Sequence, residues 1–346
     1  MANSSVVSGG AHLVGSAPVE SAEEMFQLSI KHLGKHIKRM PDGEFGERDT
    51  WIRFQHARLL SSPQLKSSEE VGKYVPFSPI ICEENINSAK QIELPKLGYA
   101  DSAVSSYKVF KELKTKGVIP SYVRFQVGLP TPYSVATFYG HVSIQNILEE
   151  AYSDSIKLEL AMILQAIPYK ELAIQWEVVS EFAVLEGVIP SHVNEDVLGY
   201  QTKRVGELVN SLPKDVEAGI HLCYGDSGHK HFCEPKDTQY LSDFANGIVC
   251  LSDRKIDWLH LPVPKERDDE EYFKPLDSLD LEEETVLYLG LVHETGGIVG
   301  TRRRIDAARS FVKEFGIATE CGLGRRQSKN LPNLLDQHRS LIEEER

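Results

Sequence analysis

No apolar run in this sequence approaches the roughly 18 residues that a membrane-spanning helix requires, and its first 16 residues, MANSSVVSGGAHLVGS, lack both the basic start and the apolar stretch of a secretion signal. A membrane partner is therefore not expected, and the cytoplasm is the expected compartment. Positive charge is also scarce: 38 Lys and Arg stand against 51 Asp and Glu, a formal net charge of −13. Binding to a phosphate backbone needs a basic face, so a nucleic-acid partner is excluded and a small-molecule ligand is expected. Cysteine is sparse, odd in number and without a secretion signal: Cys82, Cys223, Cys233, Cys250 and Cys321. A disulfide framework does not fit that pattern, so these are read as thiols. Internal repeats and low-complexity tracts are missing as well.

What is present is the composition of an ordinary globular protein, 41% hydrophobic and 26% charged over 346 residues, enough for a large core. Eight short apolar runs read as strands, at 12–16, 37–41, 122–129, 172–178, 219–224, 256–261, 286–292 and 317–321. Helical patterns lie between most of them, the first over 21–38, where Ser21 and Glu24 form a capping box. Eight strands alternating with helices predict an α/β fold with a parallel sheet, a (β/α)8 TIM barrel, as a single domain over 1–346. Residues from about 46 to 121 break the alternation with short runs at 74–82 and 91–99, and read as an insertion between strands two and three, closed by a helix over 102–116. The last segment, 331–345, reads as an amphipathic closing helix.

The chemistry concentrates at predicted strand ends. In the segment 219–225, Gly-Ile-His-Leu-Cys-Tyr-Gly, His221 and Cys223 are two residues apart on a strand and so share a face, roughly 7 Å apart. Cys321 ends the last strand, in Thr-Glu-Cys-Gly-Leu-Gly-Arg-Arg. Strand ends converge on one mouth in a barrel, so the three together offer the nitrogen and sulfur donors that zinc prefers, with a fourth position open. The ordinary alternative for a His-x-Cys pair is packing at the mouth.

Around these residues the sequence resembles the cobalamin-independent methionine synthases and their barrel relatives, which include uroporphyrinogen decarboxylase-like and alkyl-thiol transferase members. The likeness rests on His221-Leu-Cys223, on Glu320-Cys-Gly-Leu323, on Gln126 to Pro132 (Gln-Val-Gly-Leu-Pro-Thr-Pro), on Ile174-Gln-Trp-Glu177 and on Val14-Gly-Ser16, so it runs from the first strand to the last. It implies zinc as cofactor, held by His221, Cys223 and Cys321, and a small thiol and an alkyl donor as substrates. It also implies that Glu177 orients the thiol and that Ser16, Gln126 and Trp176 touch substrate. One departure stands out. The family's glutamate ligand would end the strand that here reads Asp-Trp-Leu-His-Leu-Pro-Val-Pro over 257–264, where no carboxylate stands at the end and His260 is the only residue nearby able to bind zinc. His260 replaces it, water does, or the metal has been lost. The 346 residues hold one predicted barrel where methionine synthases carry two, which leaves the folate donor open.

Other residues complete the expected site. The run 41–48, Pro-Asp-Gly-Glu-Phe-Gly-Glu-Arg, sets Glu44 and Arg48 at a strand end, where they are expected to touch substrate. After Cys223 come Asp226, His229 and His231, of which Asp226 and His229 are expected to move protons. Arg302, Arg303 and Arg304 follow the seventh strand, and Arg325 and Arg326 the eighth. Of these, Arg302 and Arg325 are expected to hold an anionic group, since arginine pairs with carboxylates through two parallel hydrogen bonds. The expected reaction is methyl or alkyl transfer to a thiol. A lyase or decarboxylase of an anionic molecule and a non-catalytic barrel relative are the alternatives, and nothing in the sequence sets the oligomeric state.

Overall fold

The structure is a computed structural model and describes residues 7–70, 77–228 and 230–345. Seven parallel strands form its main sheet: β1 (Arg39–Pro41), β4 (Arg124–Pro130), β5 (Leu172–Val178), β6 (Glu217–Leu222), β7 (Trp258–Pro262), β8 (Val286–Val292) and β9 (Gly316–Thr319), in that order across the sheet. Their near-continuous burial, complete in β5 and β7, is what a parallel sheet covered on both faces demands. The expected strand at 12–16 forms no ladder of its own. Instead Ala11 bridges both ends of the sheet, Ile37 just before β1 and Ile317 in β9, with Ala11 N–H on His36 O at 2.8 Å and His12 N–H on Ile317 O at 3.0 Å.

Between β1 and β4 lie the helix Arg53–Leu60, the antiparallel pair β2 (Leu65–Ser67) and β3 (Ile80–Cys82), and the helix Tyr99–Thr115. Of the run expected at 74–82, residues 74–76 lie outside the described residues. The first helix spans Ala22–Leu33, shorter than its pattern, because Gly34 at φ 53° ends it. Ser21 accepts from Glu24 N–H as expected, while the Glu24 carboxylate reaches back to Glu20 N–H at 2.8 Å. The final helix, Leu331–Glu344, buries its apolar face against this first helix, and His32 meets Asp336 at 2.9 Å between them. Among the described residues no helix is long and apolar enough to cross a membrane.

Strand register builds the site in layers. Gln175 on β5 stands beside Gly219 on β6, which stands beside Trp258 on β7; two residues further on, Glu177, His221 and His260 align in the same way. Side chains two apart share a face, so the second row sits directly above the first. In the lower row, a Cβ at Gly219 would lie 1.9 Å from the Trp258 ring. The missing side chain is therefore what lets Trp258 fill the space and donate to Gln175 at 3.2 Å. Arg39 covers the other side of that ring at 4.0 Å.

Candidate metal and active site

Above this packed layer, the C-terminal strand ends surround a cavity of about 800 Å³, lined among others by Ser16, Glu44, Glu177, His221, Cys223, Asp226, Cys321 and Arg325. In parallel α/β sheets that end is where ligands bind. On its floor the donor atoms of His221, Cys223 and Cys321 all lie within 4.8 Å of one another, and the two Sγ atoms are 3.6 Å apart.

The hydrogen bonds decide which nitrogen of His221 carries the proton. His260 Nε2 lies 3.0 Å from the carbonyl of Thr319 and must donate to it. Its Nδ1 is then the acceptor for His221 Nδ1–H, at 2.6 Å. His221 Nε2 is left without its proton, buried and with no hydrogen-bond partner among the described residues. Burial, and then the adjacent His260, hold the His221 pKa well below its usual value, and burial drives His260 down to about 3, so both rings are neutral. A buried nitrogen lone pair within a cluster that holds two thiols offers the kind of donor set that could hold a metal ion.

The thiols are electrostatically unequal. The bond between them lowers the pKa of Cys321 and raises that of Cys223, and Arg325 lowers Cys321 further. Arg325 donates to Cys321 Sγ at 3.5 Å and grips Asp226 through two bonds of 3.0 and 2.8 Å. Beside them Gln175 donates to Glu177 at 2.7 Å, and Glu177 lies 3.9 Å from His221 Nε2. Glu44, at the unusual φ of 48°, turns its carboxylate toward the same place: a Cβ on Gly128 would meet Glu177 Oε1 at 2.9 Å and Glu44 Oε1 at 3.0 Å. Burial raises the pKa of both carboxyls, Glu44 to about 7, and the nearby Glu44 carboxylate raises that of Glu177 further, so the pair does not carry two full charges at neutral pH.

Several expected site residues stand elsewhere. His260 is behind His221 with both ring nitrogens engaged, not among the converging donors. Arg302 lies outside the cavity, paired with Glu344 of the last helix. Arg303 pairs with Asp268, and Arg304 is buried on the carbonyls of Leu291 and Lys265. Arg48 does not line the cavity; it holds Asp42 at 2.6 Å, and Asp42 in turn accepts the Glu44 N–H at 2.9 Å. Gln126 spends its amide on the carbonyls of Leu13 and Val14, and Trp176 is fully buried and contributes nothing to the cavity lining. His231 is held between Glu234 and Glu320, while His229 lies outside the described residues. Sequence reading missed Gln175, which links His12, Trp258 and Glu177. It also missed the apolar wall of the cavity, including Trp51, Phe138, Ile189 and Phe232. Gln175 carried a signal, because it is a polar residue two before Glu177 in an otherwise apolar strand.

No protein-family model matches this sequence, and no curated protein matches it. Solved structures do match in fold. A B12-independent methionine synthase from Shewanella sp. W3-18-1, in complex with selenomethionine, superimposes with a TM-score of 0.54 at 13% identity, over 93% of this chain and 86% of that one. A methyltransferase from Methanosarcina mazei does so with a TM-score of 0.56 at 12% identity, over 99% of this chain and 94% of that one. At such identities the likeness is one of fold.

Proposed function

We propose that this chain is a methyl- or alkyltransferase of methionine synthase-like type that acts on a small thiol, on a (β/α)8 barrel whose eighth stave is the segment around Ala11. The single observation that carries the reading is that His221, whose buried Nε2 has no hydrogen-bond partner among the described residues, shares with two thiols a cluster of donor atoms all within 4.8 Å of one another. That donor set fits zinc with one position open, and His221, Cys223 and Cys321 would hold it. When bound, zinc would keep a substrate thiol in its thiolate form at neutral pH. The fold likeness supports the same class, and the Shewanella enzyme's ligand is the selenium counterpart of a thioether, the product type of thiol alkylation.

The chain's own groups have separable tasks. His260 fixes the tautomer of His221 through the Nδ1 contact. Arg325, braced by Asp226, places positive charge beside Cys321. Glu177 and Glu44, both with pKa values raised by burial, face the same floor and would orient the polar end of the substrate. Arg302, Arg303 and Arg304 are paired or buried away from the cavity, so the cationic cradle that a polycarboxylate lyase needs is not supplied by them.

The test is direct. Zinc-loaded protein mixed with a panel of small thiols, homocysteine among them, should release about one proton per thiol bound. Calorimetry in buffers of different ionisation enthalpy measures that proton. A panel that binds without proton release, or an organic acid that binds and loses carbon dioxide, would replace the transferase reading with the lyase. For His260→Ala, all three donors remain but the His221 tautomer is no longer held, so zinc affinity measured by chelator competition should fall by roughly 10- to 100-fold.

A further inference from the structure

The cavity is far larger than its polar floor requires. At about 30 Å³ per water-sized group, its roughly 800 Å³ exceeds by several times the needs of an amino acid the size of homocysteine, and it falls in the range of pockets that enclose drug-sized molecules. Much of the remaining lining is apolar. Trp51, Phe138, Val188, Ile189 and Phe232 line it, supplied by the segments that follow β1, β4, β5 and β6, and Trp51 meets Phe138 edge-on with ring centroids 6.1 Å apart. Trp51 holds a left-handed backbone at φ 56°, a conformation that a bulky residue adopts at a cost.

Charge narrows the ligand further. The described lining carries the carboxyls of Glu44, Glu70, Glu177 and Asp226 against the cations Arg53, Lys230 and Arg325. Of those cations, Arg325 is engaged by Asp226 at 2.8 Å and Arg53 donates to Ser227 at 3.1 Å. At the floor, by contrast, the carboxyl oxygens of Glu177 and Glu44 lie 2.9 and 3.0 Å from the Cβ position of Gly128, so an anionic end placed there would meet carboxyl oxygens rather than a cation, partly out of water.

We infer that this site takes, besides the thiol at its floor, an organic substrate with a bulky apolar body and a neutral or cationic polar end, which is not a polyanion. This deepens the transferase reading, on which the role of the floor rests, while the wall stands on its own geometry.

The experiment therefore uses the metal-free chain. Binding of n-alkylamines and n-alkanoates from four to ten carbons, below their aggregation limits, is followed by calorimetry. Each added CH₂ buried on the wall should tighten amine binding by about fourfold until the wall is covered, and alkanoates should bind more weakly at equal length. Val188→Ser and Ile189→Ser replace half-buried side chains, which the fold tolerates, and each should flatten the slope while the unfolding midpoint stays near that of the parent. An affinity independent of chain length, an unaltered slope in both variants, or tighter binding of a tricarboxylate than of octylamine overturns the inference. None of these outcomes bears on proton release by thiols at the zinc-loaded floor, so the two readings fail separately.

Discussion

Replacing Cys223 and Cys321 together by serine is expected to bring bound zinc from about one ion per chain to a trace after metal-replete expression. Each substitution exchanges a thiolate for a hydroxyl that does not ionise at neutral pH. The loss per site should exceed the 10- to 100-fold that removal of a merely supporting residue causes. The two sulfurs lie 3.6 Å apart at the ends of β6 and β9, so either single variant should also lose one sulfur neighbour in the X-ray absorption of the loaded protein. Elemental analysis with Cys250→Ser as control checks the first outcome, since Cys250 is exposed on a helix. Zinc content that stays near stoichiometric in the double variant would place the metal elsewhere and remove the basis for the transferase.

The second large effect is one of pH. Burial raises the Glu44 carboxyl to about 7, Arg48 opposes the shift and Asp42 adds to it. The folded chain thus binds a proton more tightly at Glu44 than the unfolded chain does. The resulting stabilisation is fully present below the unfolded value near 4.5 and is lost as pH rises through about 7. Because Glu44 is partly open to the cavity, water screens it, and the change is about 2 kcal/mol, less than the full shift would give. Glu44→Gln keeps the shape and removes the titration. Metal-free parent and variant should therefore differ little more than a constant below pH 4.5, with the variant gaining about 2 kcal/mol on the parent by pH 8. Denaturant midpoints across that range measure it, and a difference that does not change with pH would mean that Glu44 is solvated like a surface carboxylate.

His221 and Cys223 were legible because a strand's period of two puts them on one face whatever the rest of the fold does. Cys321 was legible because strand ends of a parallel sheet share one edge. The expected strands at 172–178 and 286–292 coincide with β5 and β8, while those at 219–224, 256–261 and 317–321 are shifted by one or two residues in the fold. Apolar runs continue past the last ladder hydrogen bond, so hydropathy blurs where a strand stops. The run at 12–16 is apolar enough to be read as a strand, yet only Ala11, just before it, bridges both Ile37 and Ile317.

By itself, then, the sequence determined an α/β chain of alternating strands and helices, acidic, without a membrane-spanning run, with a histidine and two thiols at strand ends. Hydrophobic periodicity, charge and local spacing are properties of neighbours along the chain. Tertiary structure alone decided that His260 stands behind His221 and leaves its Nε2 bare, that Arg302 turns to Glu344 while Arg325 turns to Cys321, and that Gly128 lets two carboxylates meet. It also turned apolar residues that follow the strands into the wall of a cavity. Register across strands, and the partners that side chains find far along the chain, set those outcomes, and no local pattern encodes either.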